Sequence, residues 1–353
     1  MRLVSPYGNA LAATKDDASK VPHMTYGLPP GTRDTLPVEM SELRAAESAL
    51  LDVFEMNGYQ SVATPSIEFA GVASRGGNVR SDAAFRFFDD RGELLALRSD
   101  MTVSVARLAA DRFVDSDTPL RLAYSGSVFR VTDPKRGEPR EVRQVGVELY
   151  EAPESSDSTG TAEVIGVLGQ ALNAVGLDRA VVGLGNSNLF SDLMGELGYS
   201  EQAVAESLER LSRTDLVGLR DVLLASEVGE EKARGLLELA NLRGGEEALR
   251  RAREIAAGGT QEALSRLQET YSELETRGLS ERVRFDFGLL RDPGYYTGAV
   301  FEVYDPALGR AIGGGGRYDG LMPRFGSEMR AAGFSLYLER LHTAQTTAGR
   351  SGT

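Results

Sequence analysis

From residue 83 to 151 the chain reads as strand after strand, with short connections and one helix between them. AAFRFFDDRGELLALRSD (83–100) carries β-formers on both sides of Asp90-Arg91-Gly92, the pattern of two strands joined by a tight turn. MTVSVARLAADRF (101–113) is helical. RLAYSGSVFRV (121–131) and REVRQVGVELYE (140–151) are again strand-like, linked by the charged loop TDPKRGEP. Runs of strands with few crossover helices predict an α+β fold around an antiparallel sheet and argue against a doubly wound parallel one.

The flanks fit that plan. After the turn-rich entry GLPPGTRDTLP (27–37), Pro37 suits a first helical position. Met40, Leu43, Ala46, Leu50 and Phe54 then recur at helical spacing, and Gly58 suits the residue after the helix. YQSVATPSIEF (59–69) reads as a strand broken at Pro65. A helix (161–176) ends at Gly176, and strands follow at 180–185, 282–290 and 295–305. GRAIGGGG (309–316) reads as a glycine-rich turn, and 329–345 as a strand running into a helix. Between 188 and 282 the texture changes to helix formers with mixed charge, an all-helical insertion. The predicted division is a disordered arm (1–23), a core (24–187 and 283–345), the helical insertion (188–282) and a polar tail (346–353).

Composition excludes several chemistries. The 353 residues include no cysteine and 2 histidines, His23 and His342, so disulfides, thiolate sites, a His-based metal site and a Ser/His/Asp triad lack their parts. No metal or cofactor is expected. A net charge of −13 is the wrong sign for nucleic-acid binding. No apolar run reaches the ~20 residues of a membrane helix, and no signal peptide is visible, so the expected location is cytoplasmic.

Four polar clusters stand out, each with a plain structural reading beside the functional one. In LRSDMT, Asp100 and Thr102 sit where a strand enters a helix, where they could hold an ammonium group or simply cap the helix. After Phe129-Arg130, the residues Gln144, Gly146 and Glu148 share one face of a strand, either a polar pocket floor or a solvated face. In Arg291-Asp-Pro-Gly-Tyr295-Tyr296-Thr-Gly298 the adjacent tyrosines point to opposite faces if the segment is a strand, so only one lines a given pocket. Gly313–Gly316 before Arg317-Tyr318-Asp319-Gly320 allows close backbone approach to a ligand or a plain tight turn, and it is not a P-loop.

In this order, the clusters resemble the class II aminoacyl-tRNA synthetase core and, within it, histidyl-tRNA synthetase, over residues 27–190 and 283–345. The family's first motif is similar to 37–69, its second to FRVTDPKRGEPREVRQVGVE (129–148) and its third to GFSLYLERL (333–341). LRSDMT, R-x-x-x-YYTG and GGGRYDGL resemble its histidine-specific signatures. The resemblance implies a histidine site. Asp100, Thr102 and Gln144 would lie at the α-ammonium, Glu148 and Tyr296 at the two imidazole nitrogens, and Arg291 at the carboxylate. Arg130 and Tyr295 complete the set. Gly294 replaces an aspartate usual beside that arginine. The ATP side is degenerate: Thr132 stands for a glutamate, Glu138 for an arginine and Tyr337 for a glycine, while the hallmark arginines Arg130 and Arg340 remain.

The residues after Arg340 are too few for the anticodon-binding domain of such synthetases. A synthetase-like core with an amino-acid site but no intact ATP site resembles the regulatory subunits of short-form ATP phosphoribosyltransferase. That resemblance implies a non-catalytic chain acting in the first step of L-histidine biosynthesis and in its allosteric feedback inhibition by histidine. It implies a homodimer core paired through the first motif, built into a hetero-octamer with the short catalytic subunit, with no nucleic acid and no membrane. The alternatives are an atypical histidyl-tRNA synthetase and a stand-alone histidine sensor.

Overall fold

The computed structural model describes residues 27–76, 84–113, 119–132, 138–291 and 294–351, so the arm expected at 1–23 lies outside the described residues. Helix α1 (Pro37–Met56) has proline in its first turn and buries Leu43, Ala46, Leu50, Val53 and Phe54 as one stripe. Gly58, at φ +81°, turns the chain out of it. Pro65 then separates two short strands that join different sheets, β1 (Gln60–Ser61) and β2 (Ile67–Phe69). After the single turn α2 (Ala70–Ala73), strands β3 (Arg86–Phe88) and β4 (Leu94–Leu97) pair with β2 in the antiparallel order β2-β4-β3.

The main sheet is built from β5 (Leu120–Phe129), β6 (Glu141–Glu151), β7 (Val181–Asn186), β8 (Arg243–Gly244), β9 (Val283–Asp286), β10 (Ala299–Tyr304), β11 (Gly313–Arg317) and β12 (Arg330–Tyr337), with β1 at its edge. Its 9 strands run in the order β1-β5-β6-β12-β11-β10-β7-β9-β8. Pairing is antiparallel except at β1–β5 and β7–β9. Helix α3 (Met101–Arg112) precedes β5, and α4 (Asp157–Ala174) joins β6 to β7. Between β7 and β9 lie α5 (Leu189–Leu197), α6 (Glu201–Ser212), α7 (Leu216–Leu224), α8 (Glu230–Asn241), α9 (Glu246–Ile255) and α10 (Thr260–Thr276), and α11 (Leu338–Ser351) follows β12.

Four local expectations change. The insertion expected to be all-helical lends the two-residue strand β8 to the edge of the main sheet, paired with β9. The glycine run is no turn: Gly313–Arg317 is a fully buried central strand. Glycine lowers strand propensity, yet here flanking strands supply the pairing on both sides. Tyr295 and Tyr296 precede β10 and do not lie in a strand, so the opposite-faces rule does not apply to them. The polar tail expected from 346 is helical as far as Ser351.

Register gives the sheet two unlike faces. One carries Ala123, Val147, Phe334, Phe301 and Leu184 in a row across five strands, with Gly315 on β11. These apolar side chains belong to the main core, which α1, α4, α10 and α11 cover. The opposite face reads Tyr124, Gly146, Ser335, Gly314, Glu302 and Gly183 in one row, and Leu122, Glu148, Gly333, Gly316, Val300 and Gly185 in the next. Glycines leave that face shallow, so side chains from neighbouring segments can lie flat upon it. A second apolar cluster walls it at one end, with Met101, Val105, Leu122, Tyr150 and Leu321 among its members.

Candidate functional site

The polar residues of β6 lie on the glycine-rich face, and Gln144, Gly146 and Glu148 are all buried. The solvated-face reading of this strand therefore fails. Glu148 lies beside Gly333 of β12, where a Cβ would overlap its carboxylate. The Tyr318 hydroxyl donates to Glu148 Oε2. Oε1 is buried and, among the described residues, has no hydrogen-bond partner. Burial pushes the Glu148 carboxyl up to about 8, against the pull of the Tyr318 and Thr102 hydroxyls and with a further push from Asp100. The buried acid is thus protonated near neutral pH, with one of its oxygens unpartnered among the described residues.

Gln144 pins the next piece. Its Oε1 accepts the Met101 N–H (3.1 Å) and its Nε2 donates to Ser335 Oγ (3.3 Å). That fixes the start of α3. Asp100 caps this helix, accepting from the Val103 N–H at 3.0 Å, so the plain capping reading holds for it. Burial raises the Asp100 carboxyl above its ordinary range, while the Val103 amide and the Arg130 charge work against the shift. Thr102, two residues on, is near enough to Glu148, Tyr124 and Tyr295 to act on the titration of all three.

Both neighbouring tyrosines reach the same site. Their rings are 5.0 Å apart; Tyr295 meets Tyr318 edge-on at 5.7 Å, and Tyr296 lies over Gly316. Arg291 stacks on Tyr296 (5.7 Å) and lies over Gly314, where a Cβ would overlap its guanidinium. Its Nη1 donates to the Phe301 carbonyl at 3.3 Å and is 3.5 Å from a Glu302 carboxylate oxygen. Its Nε is buried and, among the described residues, unpartnered. Asp100, Thr102, Gln144, Glu148, Arg291, Tyr295 and Tyr296 thus converge on one trough.

At the adjoining end, Arg130 donates from Nε to the Ser99 carbonyl (3.0 Å) and from Nη1 to the Tyr337 hydroxyl (3.3 Å). The Tyr337 ring is 4.3 Å from the Arg340 guanidinium and 5.7 Å from that of Arg130. Arg340 is further tied to the Ala311 carbonyl at 2.8 Å. Among the described residues, no carboxylate pairs with Arg130 or Arg340. Burial alone would raise the Tyr337 phenol, but Arg130, Arg291 and Arg340 bring it below its ordinary value. Thr132 is held apart from this group, its hydroxyl donating to the Glu138 carbonyl (3.1 Å), and the Glu138 side chain is exposed. Among the described residues no cluster of three or more His, Asp or Glu side chains could hold a metal ion.

Nothing in residue type or spacing marks Tyr318, Gly333 and Glu302 as parts of the site. Tyr318 stands inside GGGRYDGL, so its motif is legible in the sequence. Its target is not, because only the β11–β12–β6 register brings it to Glu148.

The histidyl-tRNA synthetase family model matches residues 31–341. An ATP phosphoribosyltransferase regulatory subunit from Moorella thermoacetica is 40% identical over 321 residues, covering 90% of this chain and 82% of that one. The chain belongs to the family of ATP phosphoribosyltransferase regulatory subunits. The family member from Symbiobacterium thermophilum is 40% identical over 329 residues, 91% of this chain and 80% of its own. The Bacillus halodurans crystal structure described as an ATP phosphoribosyltransferase regulatory subunit/histidyl-tRNA synthetase superposes with a TM-score of 0.84 at 32% identity, over 92% of this chain and 84% of that one. Histidyl-tRNA synthetase from Nostoc, at 22% identity and a TM-score of 0.77, shares the fold. The family and its solved members bear out the α+β, class II synthetase-like architecture, and membership makes the role of this chain that of a regulatory subunit. Among the described residues no helix is long and apolar enough to cross a membrane.

Proposed function

We propose that this chain binds free L-histidine in the trough and, as the non-catalytic partner of a short-form ATP phosphoribosyltransferase catalytic subunit, carries feedback inhibition of the first step of histidine biosynthesis. The observation that carries this reading is Glu148: a fully buried carboxyl with one oxygen hydrogen-bonded to Tyr318 and the other unpartnered among the described residues. A buried polar oxygen without a partner costs free energy, and an imidazole nitrogen supplies that partner, the single acid proton lying between carboxyl and ring. Tyr296 offers a hydroxyl for the second ring nitrogen, Arg291 faces the carboxylate, and Asp100 and Thr102 face the ammonium. Arg130, Gln144 and Tyr295 act indirectly, by fixing α3 and the tyrosine pair.

Catalysis is absent in this reading because Tyr337 takes up the arginines that a polyphosphate would need, while Thr132 and Glu138 offer no adenine or phosphate contact. Histidine acts by favouring an assembly state of low activity, which requires that it bind the two states unequally. The assembly is a hetero-octamer on a homodimer core paired through 37–69, in the cytoplasm. The exposed side chains of Ile67, Phe69 and Phe87 on one face of the small sheet suit such a contact.

Calorimetry with L-histidine and histidinol, beside an ATP–pyrophosphate exchange assay, tests the reading. It expects heat with histidine, much weaker binding of histidinol, and no exchange. Histidine-dependent exchange makes the chain a synthetase instead. No heat with histidine removes the ligand from the proposal.

A further inference from the structure

Among the described residues, Arg291 is the one guanidinium of the trough with a buried, unpartnered nitrogen, and what holds it in place lies on the sheet beneath. Glu302 is on β10, in the row that continues Gly146, Ser335 and Gly314. Its Oε1 is 3.5 Å from Arg291 Nη1, and its Oε2 accepts from the Tyr304 hydroxyl at 2.5 Å. Tyr304 is two residues on and so on the same face. Gly314 lets the arginine lie flat over β11, and the Phe301 carbonyl of β10 takes the same Nη1. All the described polar contacts of the guanidinium are therefore at one corner. The Nε edge faces the other way, buried and open.

We infer that Glu302, steadied by Tyr304, is the positioning residue for the carboxylate receptor Arg291 and thereby sets the preference of this site for an amino acid over the matching amine. This rests on the histidine reading above and names what enforces its carboxylate requirement. Glu302 does not touch the ligand. It fixes the Nη1 corner and leaves Nε free to donate to one carboxylate oxygen, a directed contact of the charge-assisted kind. Without Glu302, the buried guanidinium keeps a carbonyl and a ring face, neither of which fixes its rotation about the side-chain axis. The ammonium contacts Asp100 and Thr102 and the ring contact Glu148 lie at the start of α3 and on β6, away from Glu302, so an amine lacking the carboxylate senses the change only through the Tyr296 ring stacked on Arg291.

The test measures L-histidine and histamine affinities for the full chain, wild type against Glu302→Ala, Glu302→Gln and Tyr304→Phe. Glu302→Ala is expected to weaken histidine by about ten- to thirtyfold and histamine by less than about twofold. Tyr304→Phe should give a smaller loss, roughly threefold, again confined to histidine. Glu302→Gln keeps the acceptor and should recover part of what alanine loses. Equal losses for both ligands, or unchanged histidine binding in Glu302→Ala, overturn the assignment. If Glu302→Ala fails to fold, the histidine-to-histamine ratios of the other two variants decide the matter, and an unchanged ratio in both overturns it. A wild type that binds no histidine overturns the functional reading itself, which is a different result from a wild type that binds it and a variant that binds it equally well.

Discussion

The two ends of the trough share a sheet face and differ in how their charges are satisfied. At the Glu148 end, a buried carboxylate oxygen and the Arg291 Nε have no described partner. At the Tyr337 end, the chain supplies its own partner: one tyrosine hydrogen-bonds Arg130 and stacks on Arg340. Unmet buried groups are costly, so a fold that keeps them does so where something else meets them. Groups already met gain little from a further ligand. The contrast separates a site held open from one closed from within, even though both keep charged residues of the same kinds.

The largest expected effect comes from removing the open acceptor. Glu148→Ala should lower L-histidine affinity by about ten- to a hundredfold, because the bound ring loses its acceptor and Tyr318 loses its own. Calorimetry reads this directly. Glu148→Gln separates shape from ionisation: it keeps an acceptor at similar volume and removes the titration. Stability should move the opposite way. The Glu148 carboxyl titrates at about 8 in the fold against about 4.3 in an unfolded chain. The folded state therefore holds the proton more tightly, and stability falls as pH rises from the lower value through the upper one. Thermal melts at pH 6 and 9 should show that fall in the wild type and a reduced one in Glu148→Gln. Equal pH dependence in both would locate the titration elsewhere.

The same proton shapes binding. Between about 6.5, where free imidazole titrates, and about 8, where Glu148 does, the two partners together bring one proton, and the buried pair needs one. Above that window Glu148 has lost its proton, binding must take one up, and affinity should fall towards tenfold per pH unit. Below it the imidazolium and the acid bring two, binding must release one, and affinity falls again. A binding titration from pH 5.5 to 9.5 should give a bell. Glu148→Gln should lose the upper arm, and a flat profile in the wild type would remove Glu148 from the ring site.

A smaller effect probes the closed end. Tyr337→Ala should free Arg130 and Arg340 and raise pyrophosphate affinity by roughly three- to tenfold, with histidine changed by less than about twofold. Tyr337→Phe keeps the ring on Arg340 and should change less. If histidine binding falls as far as pyrophosphate binding rises, the two ends are one site.

How much of this was readable beforehand follows from what each signal needs. The α1 stripe from Leu43 to Phe54 and its limits at Pro37 and Gly58 are local, and the chain shows them in order. The shared face of Gln144 and Glu148 follows from strand period alone, although burial does not: it depends on what covers the strand. The glycine strand β11 reads as a turn in the sequence because glycine has no side chain to reveal a period, and only its neighbours on β10 and β12 make it a strand. The partners of Tyr318 and Glu302 are hidden from the sequence for a related reason. Each meets its partner through cross-strand register or a loop crossing the sheet, and no spacing in the sequence encodes either.

Asp100 sits on the line between the two ends, and the finest prediction concerns it. The carboxylate caps α3 through the Val103 N–H, a complete structural reason for an aspartate there. It also lies close to Arg130 and Glu148, which makes it a negative charge facing the trough. Alanine would confuse the two roles, since losing the cap costs about 1 kcal/mol and loosens the same turn that carries Thr102. Asparagine separates them. It caps about as well, so the melting temperature of Asp100→Asn should stay within a degree or two of the wild type, about the shift a few tenths of a kcal/mol gives. It removes the charge, so histidine should bind roughly three- to tenfold more weakly if the α-ammonium rests there. Imidazole alone, with no ammonium, should not notice. Unchanged histidine affinity in Asp100→Asn would class Asp100 with Tyr337, as a group the fold has satisfied for itself, and the ammonium would then have to be held by the Thr102 hydroxyl and the backbone around it.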